Sequence, residues 1–242
     1  METRDIALTS IFTALVAATT LMVQVYIPET KGYFNFGELM VYLTALALGP
    51  KIGAVAGGLG SALADIISGY HIYAPATLVI KGLEGLIVGK ASRTLTAKTK
   101  HFKVVLALAS ILVFVSISTV GSLFYTGTLE WTLGSPIFEY FLSVKLESYI
   151  WIAIGVIAMI AVLYLGLRRS EIALNVFAML CGGIEMVLGY FAYEAMIFGV
   201  AAAAVEMPFN LGQVTVGIIG ATLLYEPLNR VLRGLRHGGV GR

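Results

Sequence analysis

The chain has 242 residues, of which 58% are hydrophobic and only 12% charged, with a formal net charge of +2. A soluble domain carries about 25% charged residues, so half the expected charge is missing and no soluble core of this size could hide the apolar surface that replaces it. Lipid is the solvent this composition expects, and the near-neutral charge gives no nucleic-acid footprint.

A helix needs about 20 apolar residues to cross the hydrocarbon layer. Ile6 to Ile27 supplies the first such run. It follows little positive charge and ends at Pro28 without a small-residue cleavage pattern, so it reads as a retained helix rather than a signal peptide. Residues 28–36 read as a polar and aromatic loop. Leu39 to Gly69 is apolar but too long for one straight helix, and Gly49-Pro50-Lys51 breaks it, because proline cannot continue a helix interior. The result is a short helix at 38–49 and a longer one at 52–69. Further spans are expected over 75–97, 102–124, 146–167, 172–199 and 206–233, which makes eight helices.

The short helix covers about 18 Å at 1.5 Å per residue. A re-entrant pair in its place would strand Lys51 near mid-bilayer at a cost of several kcal/mol. Local thinning or a deep outer loop is cheaper.

Lysine and arginine set the orientation, because cytoplasmic connections carry an excess of both. With the N-terminus inside, the inner connections hold Arg4, Lys51, Lys90, Arg93, Lys98, Lys100, Lys103, Arg168, Arg169, Arg230, Arg233, Arg236 and Arg242, which is 13 of the 16 basic residues. Lys31 and Lys145 fall outside, and Lys81 lies within a span. Both termini are therefore expected in the cytoplasm, and the plasma membrane is the expected location.

Small residues mark packing faces. Gly53 and Gly57 form a GxxxG pair inside a stretch dense in Gly and Ala, which lets helix backbones approach closely. No strand precedes it and no Gly-Lys-Ser/Thr follows, so it is not a phosphate loop. Ala14 and Ala18 form a second small-residue pair on the first helix. It suits either internal packing or docking to another membrane subunit, and spacing alone favours packing.

Ionisable residues inside a bilayer are costly and point to function. Glu38 opens its helix, and Asp65 lies about a turn from the outer end of helix 52–69. Lys81 and Glu84, spaced i,i+3, can pair on one helix face. Glu194 and Glu206 lie near the outer ends of the last two helices. Asn210 and Gln213 share a face and offer amide donors and acceptors. All of these fall in the outer half, with Glu185 nearer the middle. Pro208 is read as opening the last helix, where proline is tolerated. Phe34, Tyr70, Tyr73, Tyr190 and Tyr193 fit an interfacial aromatic belt; beside polar side chains they also suit stacking on a flat heterocycle.

Catalytic chemistry finds no support. His71, His101 and His237 are scattered, and no HExxH, nucleophile elbow or Walker sequence occurs. Cys181 is single and sits in an apolar run, where it reads as a small buried residue. No cofactor or metal is expected.

Several segments together resemble the substrate-binding S components of energy-coupling factor (ECF) transporters. They are Gly32-Tyr33-Phe34-Asn35-Phe36-Gly37-Glu38, Ala47-Leu48-Gly49-Pro50, the small-residue run from Gly53 to Asp65, Tyr73 to Gly85, Gly189 to Glu194, and Glu206 to Gln213. The resemblance covers about 5–97 and 172–235 and looks closest to the branch importing riboflavin, pyridoxine or hydroxymethylpyrimidine.

It implies an all-α, polytopic transmembrane bundle: a six-helix core, with four helices in 5–101 and two in 169–235, interrupted by a helical hairpin at 102–168, all within one transmembrane domain, 1–242. It implies a transport subunit and not an enzyme. Such a subunit binds a vitamin from outside, docks on a membrane T component carrying two ATPases, and topples to release the vitamin inside. Docking through small residues of the first helix maps onto Ala14 and Ala18. The substrate pocket is expected from Phe34, Asn35, Lys81, Glu84, Tyr190, Tyr193, Glu194, Asn210 and Gln213. The outer loop of the inserted hairpin, about 125–144, carries Glu130, Trp131, Glu139 and Lys145 as a lid, a lipid-facing addition or a partner surface. The competing reading is an autonomous secondary transporter. It would need a coupling-ion site and an internal repeat, and no repeat is evident.

Overall fold

The computed structural model describes residues 3–94, 102–124, 126–135, 138–168 and 170–237. Lys98, Lys100, His101, Arg169 and Arg242 lie outside these residues, as do the side chains of Glu130, Trp131, Glu139, Arg233, Arg236 and His237. The described residues form eight helices and two β-hairpins. In chain order the elements are α1 (Thr3–Met22), β1 (Gln24–Ile27), β2 (Gly32–Asn35), α2 (Gly37–Leu48), α3 (Pro50–Ile67), α4 (Ala74–Thr94), α5 (Phe102–Phe124), β3 (Gly127–Ser135), β4 (Phe138–Leu146), α6 (Ser148–Arg168), α7 (Ser170–Ile197) and α8 (Val200–His237). The protein is an all-α polytopic bundle. Among the described residues, α1, α5, α6, α7 and α8 each contain a stretch long and apolar enough to cross a membrane.

Three local expectations are corrected. The first helix ends at Met22 and not at Ile27; its last residues become β1, which pairs antiparallel with β2 from Gln24↔Asn35 to Ile27↔Gly32. Val23, Val25 and Ile27 are β-branched and favour strand once a partner strand is present. The region read as an outer loop at 125–144 contains a second antiparallel hairpin, β3–β4, paired from Gly127↔Leu146 to Ser135↔Phe138. The last helix starts at Val200, so Pro208 lies inside it. The run Ala201-Ala202-Ala203-Ala204 has the highest helix propensity available and builds two turns ahead of the proline.

The chain divides into two compact units, Met1–Thr99 with Leu174–Arg242, and Lys100–Ala173. In the first unit α2 is the central helix. Ten of its twelve residues are buried, as expected for a short helix that is apolar on all sides. Around it gather Phe12 and Val16 of α1, Ile52 and Ala56 of α3, Val88 of α4, Ala178 and Met179 of α7, and Ala221 and Leu232 of α8. The break before α3 falls where the sequence placed it. Gly49 has φ 92°, a conformation only glycine adopts freely, and Pro50 takes the first helical position, where its missing N–H costs nothing.

The small-residue stretch is a packing surface. A Cβ added to Gly53 would lie 2.8 Å from Ala45 of α2, one added to Gly57 would lie 2.9 Å from the Lys81 carbonyl, and one added to Gly58 would lie 2.5 Å from the Leu78 carbonyl. At 3.4–4 Å such contacts are ordinary; here α3 and α4 meet backbone to backbone. Gly60 does the same against Thr13 of α1. Small residues thus bring α1, α3 and α4 close together, the usual route to helix association where lipid supplies no hydrophobic drive.

In the second unit, α5 and α6 pack as an antiparallel pair joined by β3–β4. Gly155 of α6 faces Phe114 and Ser118 of α5, and Gly121 of α5 faces Trp151 of α6.

Candidate functional site

The first hairpin folds over one end of the first unit's helices and forms part of the wall of a polar cavity. The cavity has a volume of about 30 Å³ and is lined by Thr20, Gly32, Tyr33, Asn35, Ser61, Asp65, Tyr73, Thr77, Lys81, Tyr190, Glu206, Asn210 and Gln213. That is room for a water or two, and it lies within a membrane helix bundle, where buried polar groups carry a cost of several kcal/mol each unless paired.

Several hydrogen bonds fasten the hairpin, one of them, from Gln24 Nε2 to Ser68 Oγ at 2.9 Å, away from the cavity. Tyr33 Oη donates to Asp65 Oδ1 on α3 at 2.6 Å. Thr30 Oγ1 donates to Glu206 Oε2 on α8, and Tyr73 Oη donates to the Thr30 carbonyl at 2.9 Å. The Asn35 amide N–H donates to Gln213 Oε1 at 2.9 Å, while Gln213 Nε2 donates to Asn210 Oδ1 at 2.9 Å. Asn35 Oδ1 in turn accepts from the Gly37 N–H at 2.8 Å, which fixes the entry into α2. Burial, and next the Asp65 carboxylate, hold the Tyr33 phenol well above its usual range, so this hydroxyl remains a donor.

Deeper in, Lys81 forms an ion pair with Glu38 on α2 and a second with Glu84, 3.2 Å away one turn along α4. All three side chains are 5% exposed or less. The Lys81 ammonium also lies 5.7 Å from the Tyr190 ring centroid, within cation–π range. Tyr190 Oη donates to Thr77 Oγ1 at 3.0 Å.

Of the residues expected in the pocket, the structure brings Asn35, Lys81, Tyr190, Asn210 and Gln213 together in the cavity wall. Glu84 stands behind Lys81, fully buried. Glu194, also fully buried, sits beside Glu206. Phe34 packs edge-on to Phe36 at 5.8 Å, and Tyr193 stacks obliquely on Tyr73 at 5.8 Å and donates to the Ile72 carbonyl; neither lines the cavity. Thr20, Ser61, Thr77 and Tyr33 line it and carried no warning, because an uncharged hydroxyl in an apolar run is ordinary. Asp65, Glu206 and Glu38 stood out as intramembrane carboxylates, but linear spacing did not show that they converge. Ala14 and Ala18 are exposed, on the face of α1 opposite Phe12, Val16 and Thr20. No group of three or more His, Cys, Asp or Glu that could hold a metal occurs among the described residues.

Residues 1–146 match the family described as ECF-type riboflavin transporter, S component. The match takes in α1 to α5 and both strands of the second hairpin. An "Uncharacterized protein in gap 3'region" from Pyrococcus woesei is 53% identical over 81 residues, which is 34% of this chain and 54% of that relative. The chain thus spans about half the length of the curated relative it matches.

Proposed function

The chain belongs to the ECF-type riboflavin transporter S-component family, and from that premise we propose that it captures a vitamin or vitamin precursor outside the cell in the cavity under the first hairpin. It then hands the ligand inward through a membrane T component and two ATPases. The observation that carries the reading is the polar cavity among membrane helices, where five helices and a hairpin each contribute polar side chains. Such a cluster is expensive in lipid unless it serves a ligand.

The orientation follows from the charge asymmetry: the cavity end faces outside and both termini face the cytoplasm. Asn35, Lys81, Tyr190, Asn210 and Gln213 form the binding wall. Glu84 pairs with Lys81 behind it, Glu194 lies beside Glu206, and Phe34 and Tyr193 brace the hairpin and its neighbour. The exposed Ala14 and Ala18 give α1 a smooth outer face on which another membrane helix can lie. That supports docking to the T component rather than internal packing.

The test is uptake in a host lacking the system, with and without the T component and ATPases, together with mass spectrometry of ligand retained through mild detergent purification. The expected result is a retained vitamin-like heterocycle, uptake only with the full set, and weaker binding in Asn210→Ala protein that still folds. Energy-dependent uptake by this chain alone would mean an autonomous transporter instead.

A further inference from the structure

The second hairpin is amphipathic by register. β3 and β4 pair over nine positions, and directly opposed residues of an antiparallel ladder fall on the same face. One face carries Leu129 opposite Val144, Trp131 opposite Leu142, and Leu133 opposite Tyr140. The other carries all three charged residues of the two strands, Glu130, Glu139 and Lys145. Successive strand residues alternate between faces, so one ribbon has an apolar side and a charged side. A two-stranded ribbon is marginal in water by itself. Nine residues at about 3.4 Å each make this one about 30 Å long, and covering its apolar face is what can stabilise it.

The connections indicate what covers it. β3 begins three residues after α5 ends at Phe124, and α6 begins two residues after β4 ends at Leu146. A chain spans at most about 3.6 Å per residue, so the foot of the hairpin stays within about 11 Å of both helix ends. Each of those helices contains a stretch long and apolar enough to cross a membrane. At their ends Leu123 and Tyr149 are 69% and 67% exposed, which suits residues facing lipid, and tyrosine favours the membrane–water interface. Lys145, on the charged face, is exposed and pairs with the partly exposed Glu147 at 2.6 Å, which places water at the same level. The lipid-facing surface of α5 and α6 therefore reaches the foot of the hairpin. The outer edges of the two strands limit its depth: their unpaired N–H and C=O groups need water, which the hydrocarbon layer lacks. The headgroup layer offers both, water for the edges and apolar contact for one face.

We propose that β3–β4 lies flat on the membrane surface, with the face of Trp131 seated among the lipid headgroups and upper acyl chains and the face of Glu130, Glu139 and Lys145 in water. In the orientation proposed above this is the outer surface. The partner is the lipid itself, so the hairpin anchors the inserted unit to the bilayer and is neither a lid nor a docking strand for another protein. The absence of charge from the apolar face within the nine pairs means that zwitterionic lipid is enough. Tryptophan and tyrosine suit the place, because each has an apolar body and a polar handle.

The chain holds two tryptophans, Trp131 and Trp151, so Trp151→Phe leaves Trp131 as the single fluorescent reporter. The full-length variant is reconstituted in phosphatidylcholine vesicles, with and without acyl chains brominated just below the headgroup. Iodide, a quencher confined to water, is added on both sides of the membrane. The expected result is blue-shifted emission that loses most of its intensity to brominated lipid and little to iodide. Emission lost to iodide and not to brominated lipid would place this face in water, and emission lost to neither would place it under protein; either result overturns the inference. A second chain, with Trp131→Phe, Trp151→Phe and Phe141→Trp, moves the reporter to the charged face, where Phe141 pairs with Thr132. There the pattern should reverse, and equal quenching by brominated lipid from both positions would overturn the inference by showing no preferred face. If Trp151→Phe does not reconstitute, the native emission minus that of Trp131→Phe reports the same residue. None of these readouts involves the cavity of the first unit, so the vitamin-binding reading stands or falls separately.

Discussion

Substituting Lys81 with methionine tests whether the charge cluster is a structural unit. Methionine keeps the length of the apolar stem and removes the ammonium. In the native protein that ammonium serves two carboxylates, Glu38 and Glu84, which are 1% and 0% exposed. Without it both are left buried with no compensating charge, and breaking a buried pair in this way costs about 3–5 kcal/mol. For a chain of this length roughly 2–4 °C of melting temperature corresponds to each kcal/mol. A fall of about 6–20 °C is therefore expected in a thermal melt followed by far-ultraviolet circular dichroism in detergent. Neutralising the partners as well, in the triple variant Lys81→Met, Glu38→Gln, Glu84→Gln, should recover most of that loss, because an intact neutral set avoids the stranded charges. If Lys81→Met does not fold at all, the triple variant still decides the matter by folding. A single variant that melts within about 1 kcal/mol of the native protein, as exposed pairs do, would refute the reasoning by showing that Glu38 and Glu84 do not depend on the ammonium.

Three further outcomes follow from contacts in the same unit. Gly58→Val should abolish recovery of monodisperse protein on size exclusion, since even its first added carbon would lie 2.5 Å from the Leu78 carbonyl; Gly82→Ala on the facing helix should be tolerated, since its Cβ meets only the Ala54 carbonyl at 3.5 Å. Thr30→Val removes the hydroxyl that ties the hairpin to Glu206 and should speed ligand release by about tenfold, the scale of one hydrogen bond to a charged group, as read in a stopped-flow dissociation experiment. Ala14→Leu with Ala18→Leu should leave ligand affinity unchanged, because both residues are exposed on α1, yet abolish co-purification with the T component and ATPases.

The helices were legible because lipid demands long apolar runs, and Gly49-Pro50 could only be a break. The ends were less so. Ile6 to Ile27 is continuous in hydropathy, and nothing local separates the last turn of a helix from a strand that forms only when Gly32–Asn35 returns to pair with it. Pro208 misled for the opposite reason: a rule about where proline is tolerated set the start, while the alanines before it set the actual one. In the site, the i,i+3 pair Lys81–Glu84 was legible because both partners lie on one helix. The tie from Lys81 to Glu38 crosses from α4 to α2 and has no signature in spacing. Phe34 and Tyr193 were chosen for aromaticity next to polar residues, which marks the membrane interface as well as it marks a pocket.

The hairpin gives the site its logic. Three of its fastenings use a side chain that also lines the cavity: Tyr33 on Asp65, Thr30 on Glu206, and the Asn35 backbone on Gln213. If the cavity is the vitamin site proposed above, a ligand that enters must part some of these contacts and can replace them with its own donors to the same carboxylates and amide. Opening therefore exposes unpaired acceptors in a low-dielectric wall, which is costly, and a ligand with matching donors removes that cost. One without them leaves the wall unsatisfied even when it fits. Selectivity and closure then depend on the same few hydrogen bonds, so a variant that loosens the hairpin should also relax the choice of ligand.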